Sequence, residues 1–204
     1  MRFNKKKFIY LISPLNINNY FYNHLEKVLR CKKVSYFQLR LKKQNLKKKL
    51  IIGKRIKKIC KKFNVKFLIN DDVYLVKKLG ADGCHLGQKD MNIIKARKLI
   101  GKKIIGITCH NSIKLAKVAL KNKADYIAFG AFNLSKTKKT KYKASFDLLK
   151  KVSEITKKPI VAIGGINSNN YKKLLLNKAD LLAISGYIWK NKKLKPLDAV
   201  KKFR

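Results

Sequence analysis

Ten acidic residues stand against 52 lysines and arginines in this chain, and two of them, Asp71 and Asp90, sit among residues that handle anions. Two aspartates on neighbouring segments suit Mg2+, a hard cation that takes few carboxylates and keeps several waters. Gln38 and Arg40 share a face at a spacing of two and Lys42 follows in the loop; with Asn70 and Lys138 they could surround a highly charged anion such as pyrophosphate. A second set is smaller and less charged. Gly164-Gly165 and Ser185-Gly186 combine bare backbone with a hydroxyl, and such ends cradle a phosphate through main-chain amides. Ser135, Thr137 and Thr108 add further hydroxyls. Two anion sites and a magnesium site imply transfer between two phosphorylated small molecules.

Other chemistries find little footing. No Ser-His-Asp order is apparent and no cysteine has a reactive setting. His85 lies mid-strand and reads first as a satisfied core residue, His110 as a ligand contact near a strand end, and His24 as an exposed helical residue. Cys31, Cys60, Cys84 and Cys109 are widely spaced without a C-x-x-C pair, which argues against a zinc site or a disulfide framework and for free thiols in the cytoplasm.

The elements that must position these groups recur in a fixed order. Short apolar runs at 8–13, 35–40, 66–71, 83–87, 104–108, 126–130, 159–165 and 181–186 have the length and composition of buried parallel strands. Lysine-rich segments with apolar residues at helical spacing lie between them, including 46–63, 112–121, 145–155 and 169–176, several opening near a Ser or Asn that would cap them. Eight such alternations without a Pro- or Gly-rich linker predict one α/β domain over 1–204, a single (βα)8 TIM barrel. In that fold the active site lies where the strands end, which is where every residue of the two anion sites falls. Ala81-Asp82, Ala124-Asp125 and Ala179-Asp180 repeat before three of the strands, and their acids are expected to bond local backbone amides at the opposite end of the barrel.

The net charge of +42 would by itself suggest nucleic acid. The lysines, however, run evenly from Lys5 to Lys202, and only six of the basic residues are Arg, the better base reader. A solvated lysine coat is the expectation, with no specific nucleic-acid partner. Apolar stretches such as 181–189 are too short to cross a bilayer, and the apolar run near the N-terminus is too short for a signal peptide, so neither membrane nor secretion is expected. The oligomeric state leaves no trace in the sequence.

Four stretches carry a family resemblance: Gln38-Leu39-Arg40-Leu41-Lys42, Leu68-Ile69-Asn70-Asp71, the twelve residues from Gly80 to Met91 that include His85, Gln88 and Asp90, and Ala162-Ile163-Gly164-Gly165-Ile166. In content and order they resemble thiamine-phosphate synthases over almost the whole chain. The resemblance implies that hydroxymethylpyrimidine diphosphate joins hydroxyethylthiazole phosphate, giving thiamine phosphate and pyrophosphate. It implies that Gln38, Leu39, Arg40, Leu41, Lys42, Asn70, Thr108 and Lys138 hold the pyrimidine diphosphate, with Arg40 and Lys138 catalytic. It places the thiazole phosphate on Ser135, Lys136, Thr137, Gly165, Ser185 and Gly186, and Mg2+ on Asp71 and Asp90. Leu41 stands where the family carries an acid, Thr108 where Ser is common, and Ala131 where Pro follows the glycine; the loop after it matches only loosely.

Three rivals fit less well. A thiazole tautomerase shares the barrel but tends to lose the metal aspartates. A phosphate-ligand sensor needs no pair of metal carboxylates. A nucleic-acid-binding barrel calls for a clustered basic face with aromatics.

Overall fold

Strand and helix alternate because the apolar runs are too short to be helices and the segments between them place apolar residues on one helical face. The structure is a computed structural model and describes residues 7–133 and 141–204. The order is β1 (Ile9–Ile12), α1 (Asn19–Arg30), β2 (Val34–Leu39), α2 (Leu46–Lys62), β3 (Lys66–Asn70), α3 (Val73–Leu79), β4 (Gly83–Leu86), α4 (Ile93–Ile100), β5 (Ile104–Thr108), α5 (Ile113–Lys121), β6 (Tyr126–Phe129), α6 (Phe146–Ile155), β7 (Ile160–Ile163), α7 (Tyr171–Leu176), β8 (Leu181–Ile184), α8 (Gly186–Trp189) and α9 (Pro196–Lys201). The strands pair in parallel in chain order, and β1 closes on β8 with Ile9 opposite Leu182, so the sheet is a closed (βα)8 barrel.

Alternation along each strand builds two cores. Inward residues such as Tyr10, Leu68, Tyr126, Val161 and Leu181 fill the barrel. Outward residues such as Leu11, Phe37, Leu39, Phe67 and Ile69 pack beneath the helices. The large Tyr126 ring fits because its neighbour in register, Gly106, has no side chain: a Cβ there would lie 1.8 Å from the ring.

The strands end one or two residues short of most of the sequence-derived bounds. Ser112 and Ser145 cap α5 and α6 through Leu115 N and Leu148 N, as expected. Asn170 does not cap α7; its side chain accepts from Asn167 N and donates to Gly165 O, holding the loop after β7 instead. His24 is half-buried rather than exposed. The repeated aspartates bond amides across the sheet, not in their own turns. Asp82 accepts from Phe67 N and its own amide donates to Phe67 O, and Asp125 with Ile105 and Asp180 with Ile160 repeat the two-way link. Each link fixes the start of one strand to the turn before the next.

Candidate active site

Turns after β3 and β4 bring the two metal candidates together. Asp71 follows β3 with φ of 64°, and its amide donates to His85 O at 2.9 Å. Asp90 folds back so that its carboxylate accepts from Gly87 N at 2.6 Å. The two carboxyls are close enough to act directly on each other's ionisation. Lys42, from the end of β2, lies 2.8 Å from Asp71. Burial alone would raise the Asp71 carboxyl, but hydrogen bonds with Lys42 and Asp90 and the Lys42 charge hold it below the usual range. Asp90 is raised, first by burial and then by the neighbouring Asp71 carboxyl. Two carboxylates forced this close call for a proton or a cation between them, and their hard oxygens suit Mg2+.

Around this pair the end of β2 divides by alternation. Gln38 is buried and points into the barrel, where its Nε2 donates to Tyr10 Oη. Arg40 is half-buried, and its amide donates to Ser13 Oγ. Leu39 and Leu41 belong to the outer core, 2% and 5% exposed. Their side chains do not face the barrel mouth, so of the five-residue stretch only Gln38, Arg40 and Lys42 offer side chains to a ligand there. A cavity of about 450 Å3 opens on the outer flank of the aspartates, between Leu39, Leu41, Ile69, Asn70 and Met91.

The phosphate-cradle glycines stand where β7 ends. Gly164 and Gly165 have φ of 107° and 58°. A Cβ on Gly164 would lie 2.4 Å from that of Ala131, so only glycine lets β7 end against the segment leaving β6. Phe132 N and Asn133 N donate to Ile163 O and Gly164 O, tying that segment to β7. Ser185 ends β8 and its hydroxyl donates to Ser13 O, with Gly186 opening α8. Ser135, Lys136, Thr137 and Lys138 lie outside the described residues.

Thr108, at the end of β5, is half-buried, and its Oγ1 lies 2.7 Å from His85 Nε2. His85 is satisfied, as a core histidine should be, but through a site residue: Nδ1 meets Tyr126 Oη at 2.9 Å. Burial pushes its imidazole down to about 4, against the opposing charge of Asp71. His110, just past the end of β5, stacks on Tyr142, ring centroids 4.0 Å apart. Sequence reasoning missed Ser13, which ties the ends of β1, β2 and β8, and the tyrosines Tyr10 and Tyr126, whose hydroxyls meet at 2.8 Å inside the barrel. Their signal was available: a tyrosine in a fully buried strand must find a polar partner.

Comparison with known proteins adds the following. Residues 9–188 match the family model described as thiamine monophosphate synthase. A thiamine-phosphate synthase of Pelagibacter ubique is 66% identical over 200 residues, covering 98% of this chain and 97% of the relative. One from Erythrobacter litoralis is 39% identical over 186 residues, covering 89% and 87%. The solved thiamine phosphate pyrophosphorylase of Pyrococcus furiosus superposes with a TM-score of 0.86 at 26% identity, covering 98% of this chain and 95% of that one.

Proposed function

The chain belongs to the thiamine monophosphate synthase family, and from that premise we propose that Asp71 and Asp90 hold Mg2+ beside a pyrimidine diphosphate met by Gln38, Arg40, Lys42, Asn70, Thr108 and Lys138. The activity is thiamine-phosphate synthesis, a group transfer from hydroxymethylpyrimidine diphosphate to hydroxyethylthiazole phosphate. The methylene C–O bond breaks with its electron pair going to the diphosphate. The aminopyrimidine stabilises the cation left behind, and the lone pair of the thiazole nitrogen forms the new C–N bond. Such a reaction calls for leaving-group neutralisation and alignment rather than a strong base.

The observation that carries the reading is the contact between the Asp71 and Asp90 carboxyls, with Lys42 on Asp71. An acid pair and a lysine gathered from the ends of three neighbouring strands suit a diphosphate with its cation. Bound there, Mg2+ would share the negative charge of the leaving diphosphate. Arg40 and Lys42 approach the same charge from β2. Gly165, Ser185 and Gly186, with Ser135, Lys136 and Thr137, are the proposed holders of the thiazole phosphate, supported by the exposed backbone at the ends of β7 and β8. Four unpaired cysteines fit a reducing cytoplasm. Among the described residues no helix is long and apolar enough to cross a membrane.

The test is formation of thiamine phosphate from both substrates, with and without Mg2+, by the natural chain and by Asp90→Asn. The expected result is activity that needs the ion and falls on the order of 100-fold in the variant. Equal rates with a chelator present would sink the metal assignment.

A further inference from the structure

A single chain of hydrogen bonds crosses the barrel interior beneath the site. It runs from Gln38 on β2 through Tyr10 on β1, Tyr126 on β6 and His85 on β4 to Thr108 on β5. Its contacts are 2.8, 2.8, 2.9 and 2.7 Å in that order. With Gln38 Nε2 as the first donor, one direction gives both tyrosine hydroxyls in the row a donor and an acceptor. Gln38 Nε2 can only donate, so Tyr10 Oη accepts and its one hydrogen goes to Tyr126. Tyr126 has then accepted one bond, and its own hydrogen goes to His85 Nδ1. That nitrogen must be bare, so the ring carries its hydrogen on Nε2 and donates to Thr108 Oγ1. Thr108 Oγ1 thereby accepts from below, and its own hydrogen points away from His85. The imidazole is held in plane by stacking on Tyr126, the rings 16° apart with centroids at 5.6 Å.

We propose that Tyr126 and His85 are positioning residues that fix the Thr108 hydroxyl as a hydrogen-bond donor toward the diphosphate substrate at the barrel mouth. The inference rests on the reading that Thr108 meets that substrate. A donor aimed at a leaving group whose charge grows is useful; a hydroxyl free to turn its lone pairs outward would repel the same oxygens. The chain limits that freedom, because His85 Nε2 donates to one lone pair of Thr108 and so leaves the hydroxyl's single hydrogen no partner on the inner side. Aligned donors of this kind also polarise one another. Gln38 sets the polarity of the whole row. Replacing its amide by a carboxylate would make that end an acceptor and draw every hydrogen, including that of Thr108, inward.

Nitrogen NMR of the histidine-labelled protein reads the direction at His85, one of only three histidines. The natural chain should show hydrogen on Nε2, and Gln38→Glu, at a pH high enough to ionise the buried carboxyl, should move it to Nδ1. Hydrogen on Nδ1 in the natural chain, or no change in Gln38→Glu, would overturn the proposal. Kinetics supply an independent reading. Thr108→Val should lower kcat on the order of 100-fold. Tyr126→Phe, which keeps the ring, should lower it about tenfold and should add less than about twofold in the Thr108→Val background. Full activity of Thr108→Val would overturn the substrate contact and the proposal with it. Losses that simply multiply in the double variant would overturn the relay while leaving the contact in place.

Discussion

On the proposed reading Arg40 and Gly165 serve two anions whose charges behave differently during the reaction, and that difference would make their roles separable. Arg40 would offer a fork of donors to a leaving diphosphate, whose charge grows as the C–O bond breaks. Arg40→Ala should therefore lower kcat, by about 2–4 kcal/mol of transition-state stabilisation, by analogy with a lost oxyanion donor. The thiazole phosphate is a spectator with constant charge. Gly165 has φ of 58°, so Gly165→Ala costs roughly 1–2 kcal/mol of backbone strain and displaces the amide that faces the phosphate. The expected result is a raised KM for the thiazole phosphate with kcat largely kept. Steady-state kinetics with each substrate varied decides the matter. An Arg40→Ala variant that changed only the thiazole KM would reverse the two assignments. At this scale the positions of Asp71, Asp90, Arg40 and Lys42 were legible, because they are polar residues where apolar strands stop. The sequence hid the row from Gln38 to Thr108, because tyrosines and a histidine inside apolar runs look like core until register brings five strands to one point.

The elements were legible for the same reason that the barrel is regular: a buried parallel strand cannot alternate polar residues, and a covering helix must. What the sequence could not convey is how strands are held in register at the end away from the site. Asp82, Asp125 and Asp180 do this by linking the start of one strand to the turn before the next, a contact between residues 15 to 20 positions apart that no local pattern reveals. The links are unequal. Asp125 accepts from both Ile105 N and Arg97, and Arg97 also donates to Gly101 O, Lys103 O and Lys123 O. Asp82 shares its charge only with Lys66, at 3.5 Å, and that lysine is 54% exposed. Asp125→Ala strands an amide and a largely buried guanidinium together, whereas Asp82→Ala strands an amide and frees a solvated lysine. The expected losses are on the order of 3 kcal/mol for the first and about 1–2 kcal/mol for the second. Urea unfolding of both variants measures the order; equal losses would mean that Arg97 contributes nothing through Asp125.

Charge belongs to the whole molecule, since 52 basic residues against ten acids leave most lysines with no carboxylate to meet. Six of the ten acids are already engaged in ion pairs among the described residues: Glu26, Asp71, Asp72, Asp82, Asp125 and Asp147. The surplus is spread over the helices of the barrel and gathers no face of its own in the sequence. Two consequences follow from one field. The coat repels itself, so folding works against a charge that salt can screen. It also attracts both substrates, which are anions, and raises their local concentration at low ionic strength. Stability and substrate capture should then respond to salt with opposite signs. Raising the salt from about 0.01 M to 0.15 M, which shortens the screening length from about 30 Å to about 8 Å, should raise Tm and lower kcat/KM for both substrates, while kcat holds nearly constant. Thermal unfolding and initial rates in the same buffers check both signs with one preparation. The same screening should abolish the weak, unselective binding of duplex DNA or RNA that such a coat produces. Binding that was tight, sequence-dependent and resistant to 0.15 M salt would show instead that the lysines act together on a nucleic acid, and the even spread along the chain would need another account.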